Sequence, residues 1–445
     1  MINSKTIAVL LFIVMYVLMI ALPKRRAVVA ICTAGIYVVL TTLGVGGTPI
    51  LAVTDIPGAI DWNVLMMIFG TMVIVDYFIK SKMPNVIAEW VLRLAPNVMW
   101  VTILMSVFAG VISAFIDNVA TVLMVAPVAL AICKKLKISP VSMIICIAVS
   151  SNLQGAATLV GDTTSIMLAG RDAANMNFMD FFFMNGKPGI TWAVELGALA
   201  TIPIMMMLFR NDRQPVTSDE HTKVTDYLPT VTMLGHVVAL VIASFVPEAL
   251  KPETTNGIIC MVFGVITIVW EIVKQKSLDG MISSLKATDW DTMFLLAGLF
   301  CVIAGITNAG VINDIAKFIT TAGGSNIFLL YTIIVWGSVL VSAFVDNIPY
   351  VATMLPILGK VAADLNTMYP DQTIEPYFLY FGLLIGATLG GNITPIGASA
   401  NIAGVGMLRK EGYEASFKDF IRIGLPFTLT AVVVGYLYIW LIWRP

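Results

Sequence analysis

The chain has 445 residues, of which 58% are apolar and only 12% charged, and its mean hydropathy is +0.92. That balance excludes an ordinary soluble protein. Twenty-six basic residues against 27 acidic ones give a formal charge of −1, which supplies no field to draw nucleic acid. A helix needs about 20 residues to cross a hydrocarbon layer of ~30 Å, so the chain has room for roughly ten crossings. The fold class expected is an all-α polytopic membrane protein.

Apolar runs at 6–22 and 27–44 open the chain within an N-terminal scaffold segment, 1–59. The first run has one Lys before it and Lys24, Arg25 and Arg26 after it, the reverse of a secretory signal, so it is expected to stay as a helix. A first repeat, 60–209, holds a helix at 62–79, a hairpin at 98–133 (limbs 98–116 and 119–133), a broken helix at 140–170 interrupted at Ser150-Ser151-Asn152, and a helix at 189–209. A cytoplasmic loop at 210–228 and linking scaffold helices in 229–287 (229–246 and 256–273) follow. The second repeat, 288–445, has a helix at 290–308, a hairpin at 325–364 (limbs 325–344 and 348–364), a broken helix at 377–406 interrupted at Gly390-Gly391-Asn392, and a last helix at 424–443.

The repeat rests on a recurring motif. Ser113-Ala114-Phe115-Ile116-Asp117-Asn118 returns as Ser342-Ala343-Phe344-Val345-Asp346-Asn347, and Pro127 returns as Pro356 at the same spacing, since 342 − 113 and 356 − 127 are both 229. Asp61-Trp62 and Asp289-Trp290 precede equivalent helices. Asn152 and Gly161 are matched to Asn392 and Gly397 with a four-residue gap between the members of the pair. If each hairpin enters and returns on one side, each broken helix crosses once, and Lys24-Arg25-Arg26 is cytoplasmic, 19 of the 26 basic residues fall inside. Asp61 then lies outside and Asp289 inside, so the repeats have inverted topology, a hallmark of secondary transporters. Charge counting does not separate a re-entrant hairpin from a spanning one. Re-entrance is favoured because the tips hold only Asp-Asn and the 119–133 limb falls short of about 20 residues.

A carboxylate at the bilayer centre costs ~2.5–3.5 kcal/mol, so Asp117 and Asp346 need a reason to be there. One reading is an N-cap for the second limb of each hairpin. The other is binding, with the two acids brought beside one another to hold Na⁺ or exchange it for a proton. Unwound carbonyls at the breaks suit Na⁺ and the following helix N-terminus suits an anion. The candidate ion and substrate residues are therefore Asp117, Asn118, Ser150, Ser151, Asn152, Thr158, Gly161, Asp162 and Thr163 in one half, and Asp346, Asn347, Gly391, Asn392, Thr394, Gly397, Ser399 and Asn401 in the other. Na⁺ is placed near Asp117, Asn152, Asp346 and Asn392. Asp162 faces no acidic counterpart, because the aligned position is Ala398, and is expected to carry coupling. Asp76, Glu195 and Glu271 are read as reaching the headgroups.

Enzymatic constellations are not visible. The five cysteines are dispersed, the two histidines cannot form HExxH, and no GxxxxGK[ST] loop occurs, so no cofactor beyond Na⁺ or H⁺ as coupling ion is expected. An intramembrane enzyme lacks its nucleophile or metal pair, and a channel would not need paired broken helices.

At SAFIDNVATVLMVAPV, NLQGAATLVGDTTSIM, SAFVDNIPYVATMLPI and GGNITPIGASANIAGVG, over about residues 60–430, the sequence resembles the ion transporter superfamily. The likeness is to the branch with the arsenite permeases, the melanosomal P protein and the D-type Na⁺/H⁺ antiporters, which share a citrate-transporter-like domain. Dicarboxylate transporters of that superfamily carry Ser-Asn-Thr at the tips, whereas here the tips read Ile116-Asp117-Asn118-Val119 and Val345-Asp346-Asn347-Ile348. Gly161-Asp162-Thr163-Thr164-Ser165 is similar to the antiporter version of the first break, and Gly397-Ala398-Ser399-Ala400-Asn401 to the P-protein and anion-carrier version. The resemblance implies an elevator, in which hairpins and broken helices slide against a scaffold, commonly in a homodimer. The expected function is a Na⁺- or H⁺-coupled transporter of a small inorganic or carboxylate anion in the lipid bilayer, with a Na⁺/H⁺ antiporter as the alternative favoured by the three acids and by the lack of an intramembrane Arg to clamp a carboxylate.

Overall fold

Local signals are the same in the two halves. Asn97 and Asn326 accept the N–H of Trp100 and Leu329, and Asp61 and Asp289 accept the N–H of Val64 and Thr292. Each such cap stabilises a helix start by about 1 kcal/mol. The computed structural model describes residues 3–170, 173–216, 222–324, 326–370 and 374–445. In chain order the helices are α1 (Ser4–Ala21), α2 (Arg26–Thr42), the short α3 (Ile56–Ala59), α4 (Trp62–Lys80), α5 (Met83–Leu92), α6 (Val98–Ser113), α7 (Asn118–Leu136), α8 (Val141–Gly155), α9 (Thr163–Leu168) and α10 (Ile190–Leu208). They continue with α11 (Leu228–Ser244), α12 (Thr255–Gln275), α13 (Asp279–Ala287), α14 (Trp290–Asn308), α15 (Val311–Gly323), α16 (Ile327–Ser342), α17 (Asn347–Met368), α18 (Tyr377–Gly390), α19 (Ser399–Lys410) and α20 (Phe417–Trp443). Among the described residues the strands are one two-residue antiparallel pair, Phe183–Met184 with Lys187–Pro188.

Nine helices are long and apolar enough to cross a membrane among the described residues. Apolar side chains such as Leu10, Val39, Leu199, Val238, Val262 and Leu441 point outward from α1, α2, α10, α11, α12 and α20, as a lipid-facing rim requires. The opposite extreme is α8 and α18, in which every residue from Met143 to Gly155 and from Phe378 to Gly390 is buried. A helix apolar on all sides belongs at the centre, and these two pack on one another there.

Around that centre the outer helices pair crosswise. α4 packs on α12, and α2 packs on α14. A side chain at Gly70 would strike the Cys260–Met261 backbone, and one at Gly298 would strike the Ala30–Ile31 backbone. Gly298 follows Gly70 by 228 residues, and Cys260 and Met261 follow Ala30 and Ile31 by 230, so the two contacts are images of each other. The same close approach of helix to helix thus occurs once in each half.

Two expectations are corrected at this level. The limb predicted to be short, 119–133, is the 19-residue α7, and its counterpart α17 has 22 residues, so both reach the length of a crossing and shortness is no argument for re-entrance. The apolar pattern undercounts α7 because Lys134 and Lys135, which continue the helix at its polar end, were read as its boundary. The last helix starts at Phe417 rather than 424, because a capping box between Ser416 and Asp419 nucleates it early.

Candidate functional site

Asp117 and Asp346 each begin the second limb of a hairpin. Asp117 Oδ1 accepts the N–H groups of Val119 (3.0 Å) and Ala120 (3.2 Å), and Asp346 Oδ1 accepts that of Ile348 (3.1 Å). Each acid thus caps its own helix, as the N-cap reading expects. Among the described residues they share no hydrogen-bonding partner. The following residues take the central place. Asn118 Nδ2 and Asn347 Nδ2 both point at Asp162, 3.4 Å from Oδ1 and Oδ2 respectively.

Asp162 is therefore the residue on which both hairpins converge. It is 2% exposed, lies just before α9, and accepts a shorter bond from Thr164 Oγ1 at 2.6 Å. No salt bridge reaches it among the described residues.

From Asp162 a hydrogen-bonded chain runs between the halves. Asn118 donates to Asn152 Oδ1 (2.8 Å), and Asn152 Nδ2 donates to the Thr388 carbonyl (2.7 Å) and to Asn392 Oδ1 (3.0 Å). Asn392 Nδ2 donates back to the Val149 carbonyl at 2.9 Å, and the hydroxyls of Thr164 and Thr388 lie 3.1 Å apart. Ser151 is bonded to Ser113 and to the Asn118 carbonyl, both at 3.0 Å.

The first break is not where the sequence places it. α8 runs through Ser150-Ser151-Asn152 to Gly155, and the non-helical stretch is 156–162. Those polar residues leave the helix intact because Ser151 and Asn152 bond across to neighbouring elements rather than to their own backbone. In the second half α18 stops at Gly390 as expected, and a single 3-10 turn, Gly391–Ile393, leads to the non-helical residues before α19.

Both breaks are pinned to the hairpins in the same way. A Cβ on Gly161 would lie 2.6 to 2.9 Å from the carbonyl oxygens of Gly155, Ser113 and Ala114, and one on Gly397 would lie 2.6 to 2.9 Å from those of Gly391, Ser342 and Ala343. Thr158 donates to the Ala114 carbonyl, and Thr394 to the Ala343 carbonyl. Matched residues in the breaks are thus 236 apart throughout, since 391 − 155, 394 − 158 and 397 − 161 agree. The four-residue gap disappears, and the counterpart of Asn152 is Thr388, not Asn392.

The remaining predicted residues play supporting parts. Ser150 and Thr163 are buried on α8 and at the start of α9. Asn401 Nδ2 holds the Gly391 and Thr394 carbonyls, both at 3.0 Å, while its Oδ1 is buried without a partner. Ser399 donates to Asp346 Oδ2 at 2.8 Å.

Sequence reasoning missed three groups. Thr388 was hidden by the misplaced gap. Gln154, whose Oε1 is buried without a partner, packs where Gly110 leaves space. Arg26, one of the basic residues placed on the cytoplasmic side, donates Nη1 to Asp346 Oδ2 at 2.8 Å with its side chain 16% exposed. α2 begins at Arg26 and lays it against the second tip. A basic residue bordering an apolar run looks the same in sequence whether it faces water or a carboxylate.

Known proteins with similar sequence include transporters. An uncharacterized transporter of Mycobacterium tuberculosis is 31% identical over 447 residues, with 98% of each chain covered. The 46 kDa membrane protein of Mycobacterium leprae is 30% identical with the same coverage. The P protein of Mus musculus is 25% identical over 89% of this chain, which spans 55% of that longer protein. Among solved structures the YdaH transporter of Alcanivorax borkumensis superposes with a TM-score of 0.62 over 99% of this chain and 98% of its own, at 13% identity, which speaks to the fold. Nine apolar helices among the described residues, around a polar centre and in the company of these relatives, define an integral multi-pass secondary transporter. A family model described as citrate transporter matches residues 14–380, and the chain belongs to that family.

Proposed function

We propose that the protein is a Na⁺- or H⁺-coupled transporter of a small inorganic or carboxylate anion, built as two inverted repeats whose hairpins and broken helices move as one elevator-type transport part against the scaffold, in a homodimer. The observation that carries this reading is Asp162. A carboxylate this deeply buried, with hydroxyl and amide donors but no cationic side chain bonded to it among the described residues, calls for a proton or a metal cation to balance its charge. Both repeats place groups around it, so its occupancy can be sensed by both.

The two breaks divide the labour. Asp162 immediately precedes α9, and an acid there repels an anion. Its counterpart before the 12-residue α19 is Ala398, so the positive end of that helix dipole can take an anion once Asp346, which is bonded to Ser399 in this state, moves away. The cation therefore belongs to the first break and the anion to the second. Uptake by proteoliposomes of radiolabelled phosphate, arsenite and citrate under an imposed Na⁺ or pH gradient tests this. Gradient-driven accumulation of one of them is the expected result, and gradient-independent leakage of all three overturns it.

Na⁺/H⁺ antiport is the second reading, and the Arg26–Asp346 pair favours it, because the guanidinium that could clamp a carboxylate substrate is already engaged. Collapse of a preset pH gradient by Na⁺ with no permeant anion present selects the antiporter.

A further inference from the structure

At the second hairpin tip a carboxylate already sits on a cationic seat. Arg26 Nη1 and Ser399 Oγ each donate to Asp346 Oδ2 at 2.8 Å, and Ser399 opens α19, whose N-cap Ala398 supplies no capping side chain. The guanidinium is engaged through Nη1 alone among the described residues, so most of a donor fork able to grip a carboxylate through two parallel bonds is idle. Together with Asp346 it lines a cavity of about 150 Å³ whose walls include Met19, Ile20, Phe344, Ile396 and Ile402. Arg26 is the one cation among the described residues lining it.

The first half has no equivalent seat. The match of Ala30 with Cys260 at a spacing of 230 sets Asn256 against Arg26, and Asp117 has no salt bridge among the described residues.

Arg26 and Asp346 neutralise one another, with side chains 16% and 2% exposed. A carboxylate that takes the place of Asp346 on Arg26 leaves Asp346 out of water without its cation, which is strongly unfavourable. One positive charge must therefore arrive with each such anion, as a proton on Asp346 or a Na⁺ beside it. The other titratable groups around the pair are Tyr16 on α1, Tyr350 on α17, Asp162 before α9 and Asp291 on α14.

We propose that Arg26 and Ser399 form the seat for one short monocarboxylate, filled only together with one positive charge that neutralises Asp346, whose own carboxylate occupies the seat in the meantime. A single guanidinium among apolar walls suits one carboxylate on a short alkyl chain, whereas citrate brings two further carboxylates that no cation lining the cavity meets. The proposal rests on the coupled-transport reading above and narrows its substrate.

Thermal unfolding of the full chain in detergent, titrated with butyrate or citrate against chloride at equal ionic strength, tests it. Butyrate is expected to raise the melting temperature of the unmodified protein saturably in Na⁺ or in mildly acidic buffer, and whichever suffices identifies the positive charge. In N-methyl-D-glucamine at mildly alkaline pH it should do nothing. D346N, in which Asn still caps the helix, is expected to respond in every buffer with a midpoint at least about tenfold lower, and R26Q to need at least about tenfold more butyrate than the unmodified chain. R26K should fall between, because Lys keeps the charge without the fork, and it serves as the comparison should R26Q fail to fold. Equal butyrate midpoints in R26Q, or in R26K where that stands in for it, and the unmodified protein overturn the proposal. So do a tighter response to citrate than to butyrate, a cation requirement that survives D346N, an unmodified chain that needs neither cation, and a lack of response in both the unmodified protein and D346N. Gradient-driven uptake of phosphate or citrate by R26Q as fast as by the unmodified chain sinks the seat and leaves the transport reading standing. Arg26-dependent binding of butyrate with no gradient-driven uptake of any anion does the reverse.

Discussion

Asp162 holds its place through three donors from three elements: Thr164 on α9, Asn118 on α7 and Asn347 on α17. Asn at this position keeps the volume and removes the charge, so D162N is expected to fold normally while coupled transport drops roughly ten- to a hundredfold, the size of one charge-assisted hydrogen bond. The loss should be accompanied by a flattened dependence on pH or Na⁺, measured as initial uptake rate in proteoliposomes. An unchanged dependence with intact transport removes Asp162 from coupling. At this scale the sequence was informative about which residues lie at the buried polar centre and less so about which of them meet. The Asp-Asn pair was legible from its recurrence and the cap from its place before an apolar helix, but that the Asn would reach the centre depends on the geometry of the tip. The isolated acid opposite Ala398 was legible because a buried charge has no structural excuse.

Breaks in helices are set by what the backbone is tied to, not by polarity alone. Ser150-Ser151-Asn152 looks like an interruption, yet Ser151 and Asn152 have partners on other elements and the helix continues to Gly155. The actual break is held by Gly161 and Thr158 against the Ser113 and Ala114 carbonyls. G161A and G397A should therefore each lower stability by about 1–3 kcal/mol, the cost of forcing a methyl group against backbone. Comparable drops in melting temperature for the two variants, each larger than that of G406A, are the expected outcome, since Gly406 has open space around it. α5, α13 and α15 were not anticipated as separate helices. They are short, 10, 9 and 13 residues, and their apolar faces are too narrow to stand out against long membrane-length runs.

The whole molecule was legible as two related halves because a hexapeptide and a proline recur at one spacing, but the crosswise pairing of α4 with α12 and of α2 with α14 was not, since Gly70 and Gly298 are ordinary glycines until their neighbours are known. The inverted arrangement proposed here makes a direct prediction. Thr54, near Asp61, and Lys276, between α12 and α13, are both exposed, and T54C and K276C should react with a membrane-impermeant maleimide from opposite sides of sealed vesicles. Labelling of both from one side contradicts inversion.

The crosswise pairing also bears on how such a molecule comes to exist. Each half lends a rod to the other and receives one in return, so neither would be complete by itself, whereas two separate polypeptides severed between α10 and α11 would find their missing surface in each other. Co-expressed fragments should reassemble into working transporter, and a single fragment made alone should be degraded.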